Sequence, residues 1–254
     1  MTEQPKNALV TGGAQRIGRA ICLALAEAGY GICIHHHASV EAAKELAASI
    51  TGQGGRAVTL KTDFRQEAET TELIGRATEA IGPIDLLVNN ASLFERDEAD
   101  TVTRESWDRH MEVNLRAPFV LTQGFAAALP HGVEGNVVNI LDQRVENLTP
   151  HFFSYTLSKS GLWTLTRTFA LALAPRIRVN GIAPGPVLPS TRQSDDDFLC
   201  QAQATPLGRA VGPDEIARSV LFVLEAGSMT GQLIALDSGQ HLHWAPPASA
   251  DMDE

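Results

Sequence analysis

Three side chains with complementary chemistry recur at fixed intervals in the middle of the sequence: Asp142, Tyr155 thirteen residues on, and Lys159 four beyond that. A spacing of i and i+4 places Tyr155 and Lys159 on one face of a helix. An ammonium beside a phenol favours the phenolate, so the tyrosine pKa is expected to fall and the group to pass a proton near neutral pH. Asp142 closes an apolar run, Val137-Val138-Asn139-Ile140-Leu141, which reads as a buried strand. It therefore sits where a parallel sheet ends, and open α/β sheets bind ligands just outside that edge. Tyr-x-x-x-Lys alone is a common pattern, in which the tyrosine packs and the lysine is solvated. Its weight comes from the elements around it.

Those elements alternate strand and helix. Residues 8–10 form a short apolar strand that runs into Thr11-Gly12-Gly13-Ala14-Gln15-Arg16-Ile17-Gly18 and then an amphipathic helix over 19–28, closed by Gly29. Strand, glycine turn and helix make a phosphate-binding loop, in which backbone N–H groups and a helix N-terminus face an anion. Gly12, Arg16, Ile17 and Gly18 are the expected cofactor contacts. Arg16 stands where a third glycine often sits; it is expected to reach the pyrophosphate or an edge of the substrate, against the alternative of a solvated turn arginine.

The second strand, residues 31–34, ends in His35-His36-His37-Ala38-Ser39. An acidic residue near this end would bind the ribose 2′-hydroxyl of NAD. None is present, and imidazoles with a serine hydroxyl suit a 2′-phosphate instead, so His37 and Ser39 point to NADPH. A metal site here is the weaker reading, because alternate side chains on a strand face opposite ways. A helix over 40–50 leads to a strand over 57–62. Asp63 then accepts from the adenine amine or caps the helix that begins near Gln66. Residues 84–88 form another buried strand, ending in Asn89-Asn90-Ala91-Ser92-Leu93-Phe94, whose amides are expected to bond the neighbouring loop and the cofactor ribose. A helix over 107–124 carries Asn114. Further strands are expected over 177–183 and 232–237, and further helices over 155–174 and 213–224. The pattern is that of a single doubly wound α/β domain.

The 254 residues are 44% hydrophobic and 20% charged, with a net charge of -10, which suits one globular domain and disfavours nucleic acid as the main partner. Cys22, Cys33 and Cys200 show no metal or redox spacing, as expected of a reducing cytoplasm. The polar start and the lack of a long apolar run predict a soluble protein with neither signal peptide nor membrane span.

Taken together, Thr11 to Gly18, Asp63, Asn89-Asn90-Ala91, Asn114, Tyr155-x-x-x-Lys159 and Pro184-Gly185 resemble the short-chain dehydrogenases/reductases over nearly the whole chain. Asp142 replaces the serine usual in that family and Arg16 a glycine. With Ser92 after Asn89-Asn90-Ala91 and the histidine-rich strand end, these departures resemble the pteridine reductases. The resemblance implies a Rossmann-type, seven-stranded, mainly parallel sheet over 1–244, a disordered tail over 245–254, and a homotetramer with part of the 155–174 helix at an interface. It implies that Lys159 binds nicotinamide ribose, that Asn114 holds a water feeding Lys159, and that Pro184-Gly185 lies against the nicotinamide. Residues 187–205 become a lid over the substrate, with Thr191 near the cofactor amide. Arg16, Ser92 and Phe94 border the pterin, Phe94 by stacking. His241 or Trp244 is expected to reach a neighbouring subunit. Ala38 stands where the subgroup has an arginine for the 2′-phosphate, which weakens selection of NADPH.

Asp142 also narrows the chemistry. A serine would donate to a ketone oxygen as it becomes an alkoxide; an ionised aspartate would repel it. A C=N substrate instead ends with a basic nitrogen that needs a proton, which Asp142 supplies directly or through Tyr155, or else Asp142 orients the pterin's N–H donors. The leading expectation is an NADPH-dependent reductase of a dihydropterin or dihydrofolate. The rivals are a carbonyl or alcohol oxidoreductase and an idle dinucleotide-binding sensor.

Overall fold

The computed structural model describes residues 6–190 and 192–242. Seven strands form one sheet: β1 Asn7–Val10, β2 Gly31–His36, β3 Arg56–Lys61, β4 Leu86–Asn89, β5 Gly135–Ile140, β6 Ile177–Pro184 and β7 Leu233–Leu236. Their spatial order is β3-β2-β1-β4-β5-β6-β7, and all six pairings are parallel rather than mainly so. The order reverses between β1 and β4, so the loops leaving them diverge and open a crevice at the carboxyl edge.

Helices cover both faces because successive strand residues point to opposite sides. Ala8 and Val10 pack with α1 (Arg16–Glu27), α2 (Val40–Gly52) and α8 (Pro213–Glu225). Leu9, between them, packs on the other face with α3 (Glu67–Ile81) and α5 (Ala117–Ala128). Cys22 and Cys33 are buried in these layers, and burial raises both thiol pKa values, that of Cys33 to about 12. They are inert core residues.

Several boundaries differ from expectation. Helix α1 begins at Arg16, a turn early, so the phosphate loop itself enters the helix. The expected helix over 107–124 is three pieces: α4 Arg104–Met111, a π turn Glu112–Arg116, and α5. The residue before α3 is Gln66, so Asp63 does not cap it. Within the 187–205 segment, Ser194 caps α7 (Asp195–Gln203), and Asp195, Asp196 and Asp197 occupy its first turn, where carboxylates complement the helix dipole. Thr191, His243, Trp244 and the 245–254 tail lie outside the described residues.

Two backbone positions make the first turn possible. Gly12 has φ +59°, and Gly18 packs so closely that an added Cβ would collide with the Gly12 carbonyl oxygen and lie 2.7 Å from Asn90 Nδ2. Gly18→Ala is therefore expected to destabilise the fold by about 2 kcal/mol, a fall in Tm of roughly 5 °C for a chain of this size. An unchanged Tm would show that the turn has room for a side chain.

Candidate active site

A cavity of about 450 Å³ runs along the carboxyl edge of the sheet. Of the described cofactor, catalytic and substrate residues expected from sequence, all but Asp63 and Asn114 line it: Gly12, Arg16, Ile17 and Gly18 at the phosphate loop, His37 and Ser39 beyond β2, Asn90 to Ser92 and Phe94 after β4, and Asp142, Tyr155, Lys159, Pro184 and Gly185 opposite. Asp63 borders an adjoining pocket of about 290 Å³ with His35, His37 and Arg65.

The glycine turn is fixed from behind. Thr11 Oγ1 accepts from the backbone N–H groups of Asn90 and Ala91, both at 2.9 Å. Asn90 Nδ2 returns hydrogen bonds to the carbonyls of Thr11 and Gly12 at 2.9 and 3.1 Å. His35 belongs to β2 rather than to the loop beyond it. Its Nδ1 accepts from the Gly12 N–H at 3.1 Å, so its proton is on Nε2, 3.2 Å from the Thr62 carbonyl. Burial lowers its pKa to about 4, which keeps the ring neutral and the acceptor available. His35 is thus a brace for the phosphate loop. His36, on the other side of the strand, is buried and lines the cavity, and its Nδ1 has no partner among the described residues. His37 Nε2 lies 3.6 Å from Asp63. Asp63 is gripped by the Arg65 guanidinium, which holds its pKa at about 2. An adenine amine would have to share that carboxylate.

At the other end of the cavity, β5 runs into Asp142 and α6 (Phe153–Leu173) carries Tyr155 and Lys159. The Tyr155 hydroxyl donates to Asp142 Oδ2 at 2.8 Å. The other carboxylate oxygen accepts from the Arg144 N–H at 2.9 Å and starts a single 3₁₀ turn, Gln143–Val145. Asp142 therefore bonds loop backbone and phenol at once. Lys159 does not reach the phenol: its Nζ donates to the Ile140 carbonyl at 2.8 Å and lies 5.9 Å from the Tyr155 ring centroid. The expected fall in the tyrosine pKa is reversed. Burial and then the Asp142 charge raise it well above 10, because both oppose a second negative charge at the same place.

Asn114 sits in the π turn behind the cavity and is fully buried. Its Nδ2 donates to the Leu93 carbonyl and Ser158 Oγ at 2.9 and 3.1 Å, and its Oδ1 accepts from the Leu93 N–H at 2.8 Å. The amide stitches the loop after β4 to α6. The start of α6 is held again by Asp97, whose Oδ1 accepts from the Ser154 N–H at 3.0 Å.

Residues beyond those singled out from sequence pack on this wall: Arg144 lines the cavity, and Phe152 and Arg192 pack against Phe94. Phe94 stacks on Phe152 with centroids 4.3 Å apart and meets Tyr155 edge-on at 4.7 Å. A pterin on Phe94 must therefore use the face that Phe152 leaves open. The guanidiniums of Arg144 and Arg192 lie beside this ring pair. Arg16 has φ +53° and donates to the carbonyls of Leu188 and Pro189 at 3.0 and 2.9 Å, tying the phosphate loop to the segment after β6. Phe198 and Gln201 of α7 face the cavity from that segment. His241 is paired with Asp237 of its own chain at 2.8 Å.

Residues 6–198 match the family model described as short chain dehydrogenase. The chain is 30% identical over 250 residues to glucose 1-dehydrogenase 2 of Bacillus subtilis, a match that covers 94% of this chain and 95% of that one. The chain belongs to the short-chain dehydrogenase family. Two solved structures are similar to this short-chain dehydrogenase throughout. FolM alternative dihydrofolate reductase 1 from Brucella suis, in complex with NADP, is 50% identical with a TM-score of 0.93 and covers 96% of this chain and 98% of its own. The protein of that name from Brucella canis, complexed with NADP, is 49% identical with the same TM-score and covers 96% and 97%. The subgroup resemblance carried by Arg16, Ser92 and Asp142 agrees with these neighbours.

Burial lowers the Lys159 pKa from 10.5 to about 8, with Asp142 acting in the opposite sense. The folded pKa thus lies below the unfolded one. Below about pH 8 the amine is charged in both states, and the native state bears the whole cost of the buried charge, about 3 kcal/mol. Above it the native amine is neutral while the unfolded one still holds its proton, so stability rises with pH until about 10.5. Lys159→Met is expected to abolish turnover yet raise Tm at neutral pH, with the gap to wild type closing as pH approaches 10. A lower Tm at neutral pH would show that the bond to Ile140 outweighs the buried charge.

Proposed function

We propose that this short-chain dehydrogenase is an NADPH-dependent reductase of a C=N bond in a dihydropterin or dihydrofolate. The observation that carries the reading is the Asp142 carboxylate on the cavity wall, bonded at 2.8 Å to the Tyr155 phenol. A ketone becoming an alkoxide beside it would meet a like charge. At about 4 Å and an effective dielectric of about 20, that repulsion is about 4 kcal/mol, or roughly a thousandfold in rate. A C=N nitrogen is basic enough to be protonated ahead of the hydride, and the positive charge it then carries meets the same carboxylate as an attraction.

The chain's own residues fit the cofactor. NADPH, when bound, supplies a hydride. The turn of Gly12 and Gly18 presents backbone to the cavity without side chains in the way, and the first residues of α1 offer their unpaired N–H groups to a pyrophosphate. At the far end the cavity is lined by His36, whose Nδ1 has no partner among the described residues, His37 and Ser39, a polar set suited to a 2′-phosphate, and the stretch from His35 to Ser39 contains no carboxylate. Lys159, anchored on Ile140, keeps two N–H donors for ribose hydroxyls. Pro184 and Gly185 form the floor on the nicotinamide side. The two NADP-bound Brucella structures support the same assignment.

Tyr155, kept as the phenol, is the proton donor, and Asp142 is the acceptor that orients it. For the reduction the Tyr155 O–H, which donates to Asp142 in the free site, turns to the substrate nitrogen and gives up its proton as hydride reaches the carbon; Asp142, protonated from the solvent-connected cavity, then donates to the oxygen of Tyr155 and restores the phenol. Arg144, 3.7 Å from Asp142 Oδ1, moderates the charge that remains. Self-association is supported by the apolar residues that α6 and α4 leave in water, Phe153, Leu157, Leu171 and Trp107; we assign them to contacts within a homotetramer.

Following NADPH absorbance with dihydrobiopterin and dihydrofolate, wild type is expected to turn over at least one of them. Asp142→Ser is expected to lose about a hundredfold or more of that activity. Undiminished pterin turnover in Asp142→Ser, or a protein that reduces only ketones and does so better as Asp142→Ser, would overturn the reading.

A further inference from the structure

We infer that Arg144 and Arg192 form a binding site for a carboxylate on the substrate's tail, so that this chain favours a folate-type substrate over a pterin with a short neutral side chain. The inference rests on the pterin reading above and adds a specificity site to it.

The first ground is convergence. The Arg144 guanidinium carbon lies 5.1 Å from the Phe152 ring centroid and 5.7 Å from that of Phe94. The Arg192 guanidinium carbon lies 5.5 Å from Phe94 and 6.0 Å from Phe152. Two cations from distant parts of the chain, the 3₁₀ turn after Asp142 and the segment before α7, thus flank one aromatic pair. That pair begins 4.7 Å from the Tyr155 ring.

The second ground is incomplete pairing. The chain carries an excess of ten negative charges, and many of its arginines have a carboxylate at 2.7 Å or near it, as Arg65, Arg96, Arg104 and Arg109 do. Arg192 has instead a carbonyl, that of Phe94 at 2.6 Å, and among the described residues no carboxylate within 4 Å. Arg144 approaches Asp142 only to 3.7 Å, and its Nε, shielded from solvent, has no partner among the described residues. A guanidinium N–H shielded from water and left unbonded, as Arg144 Nε is, is costly unless a ligand satisfies it. The neighbouring carboxylate of Asp97 is buried and turned away onto Ser154 and Ser106.

The third ground is shape. A planar head held at Tyr155 and Asp142 has its tail leaving along the Phe94–Phe152 pair. An aryl group suits those rings, and a carboxylate beyond it meets two guanidiniums, the side chain best matched to carboxylate geometry. A short hydroxylated tail would leave both cations unmatched.

The test compares kcat/KM for dihydrofolate and dihydrobiopterin in wild type, Arg192→Gln and Arg144→Gln, at low and high salt. Arg192 is at the surface, so its variant is expected to keep the wild-type Tm. The expected result is a preference for dihydrofolate that falls about tenfold in each variant, mainly through KM, and that salt weakens in wild type. Equal effects on both substrates, or a preference that neither variant nor salt alters, would overturn the carboxylate site while leaving the pterin reading intact. Reduction of dihydrobiopterin but not dihydrofolate would do the same. Reduction of neither would remove the pterin reading, and this inference with it.

Discussion

A buried phenol hydrogen-bonded to a half-buried carboxylate is the interaction on which this site depends. The Tyr155–Asp142 bond brings together the end of β5 and the first turn of α6. Each partner constrains the other's chemistry. Next to Asp142 the phenol holds its proton, and next to the phenol the carboxylate keeps a donor without needing water. Alone, a carboxylate at this depth would be expensive. Here its second oxygen is capped by the Arg144 N–H, and the Arg144 guanidinium and Lys159 supply positive charge nearby.

The supporting structure is directed at holding that pair still against a cofactor. Asn114, in a π turn that interrupts an otherwise regular helix, pins the loop of Ser92 and Leu93 to Ser158, one residue from Lys159. π turns of this kind recur at functional sites because they redirect backbone groups at little expense of helix. At the other end, His35 and Thr11 hold the glycine turn from the sheet side. Arg16 accepts a left-handed conformation, unfavourable for a side chain by roughly 1 kcal/mol or more, and in return clamps the segment that covers the cavity. Substrate end and cofactor end are therefore parts of one rigid edge, with the covering segment tied to both.

How far the sequence foretold this depends on the range of the interaction. The strands, the glycine turn and the Tyr155–Lys159 face rest on local periodicity and on turn chemistry, and the structure reproduces them. The direction of the tyrosine's pKa was misjudged because i, i+4 spacing says that two groups share a face, not which partner each chooses. Lys159 chooses Ile140, and Asp142, thirteen residues away, takes the phenol. His35 reads from sequence as part of the segment beyond the strand, because its strand runs two residues further than its apolar run suggested. Phe152, Arg144 and Arg192 carried no signal: their partners lie far along the chain, and no spacing rule connects an arginine before α7 to a phenylalanine after β4.

The central claim is that burial and the Asp142 charge together keep Tyr155 a neutral phenol. The chain has two tyrosines, Tyr30 and Tyr155, so a Tyr30→Phe protein reports on Tyr155 alone by tyrosinate absorbance. The account predicts no tyrosinate at pH 10, the ordinary midpoint of the group, and a titration that moves clearly lower when Asp142→Ser is added. Tyrosinate appearing near neutral pH, at the same point with and without the carboxylate, would contradict it.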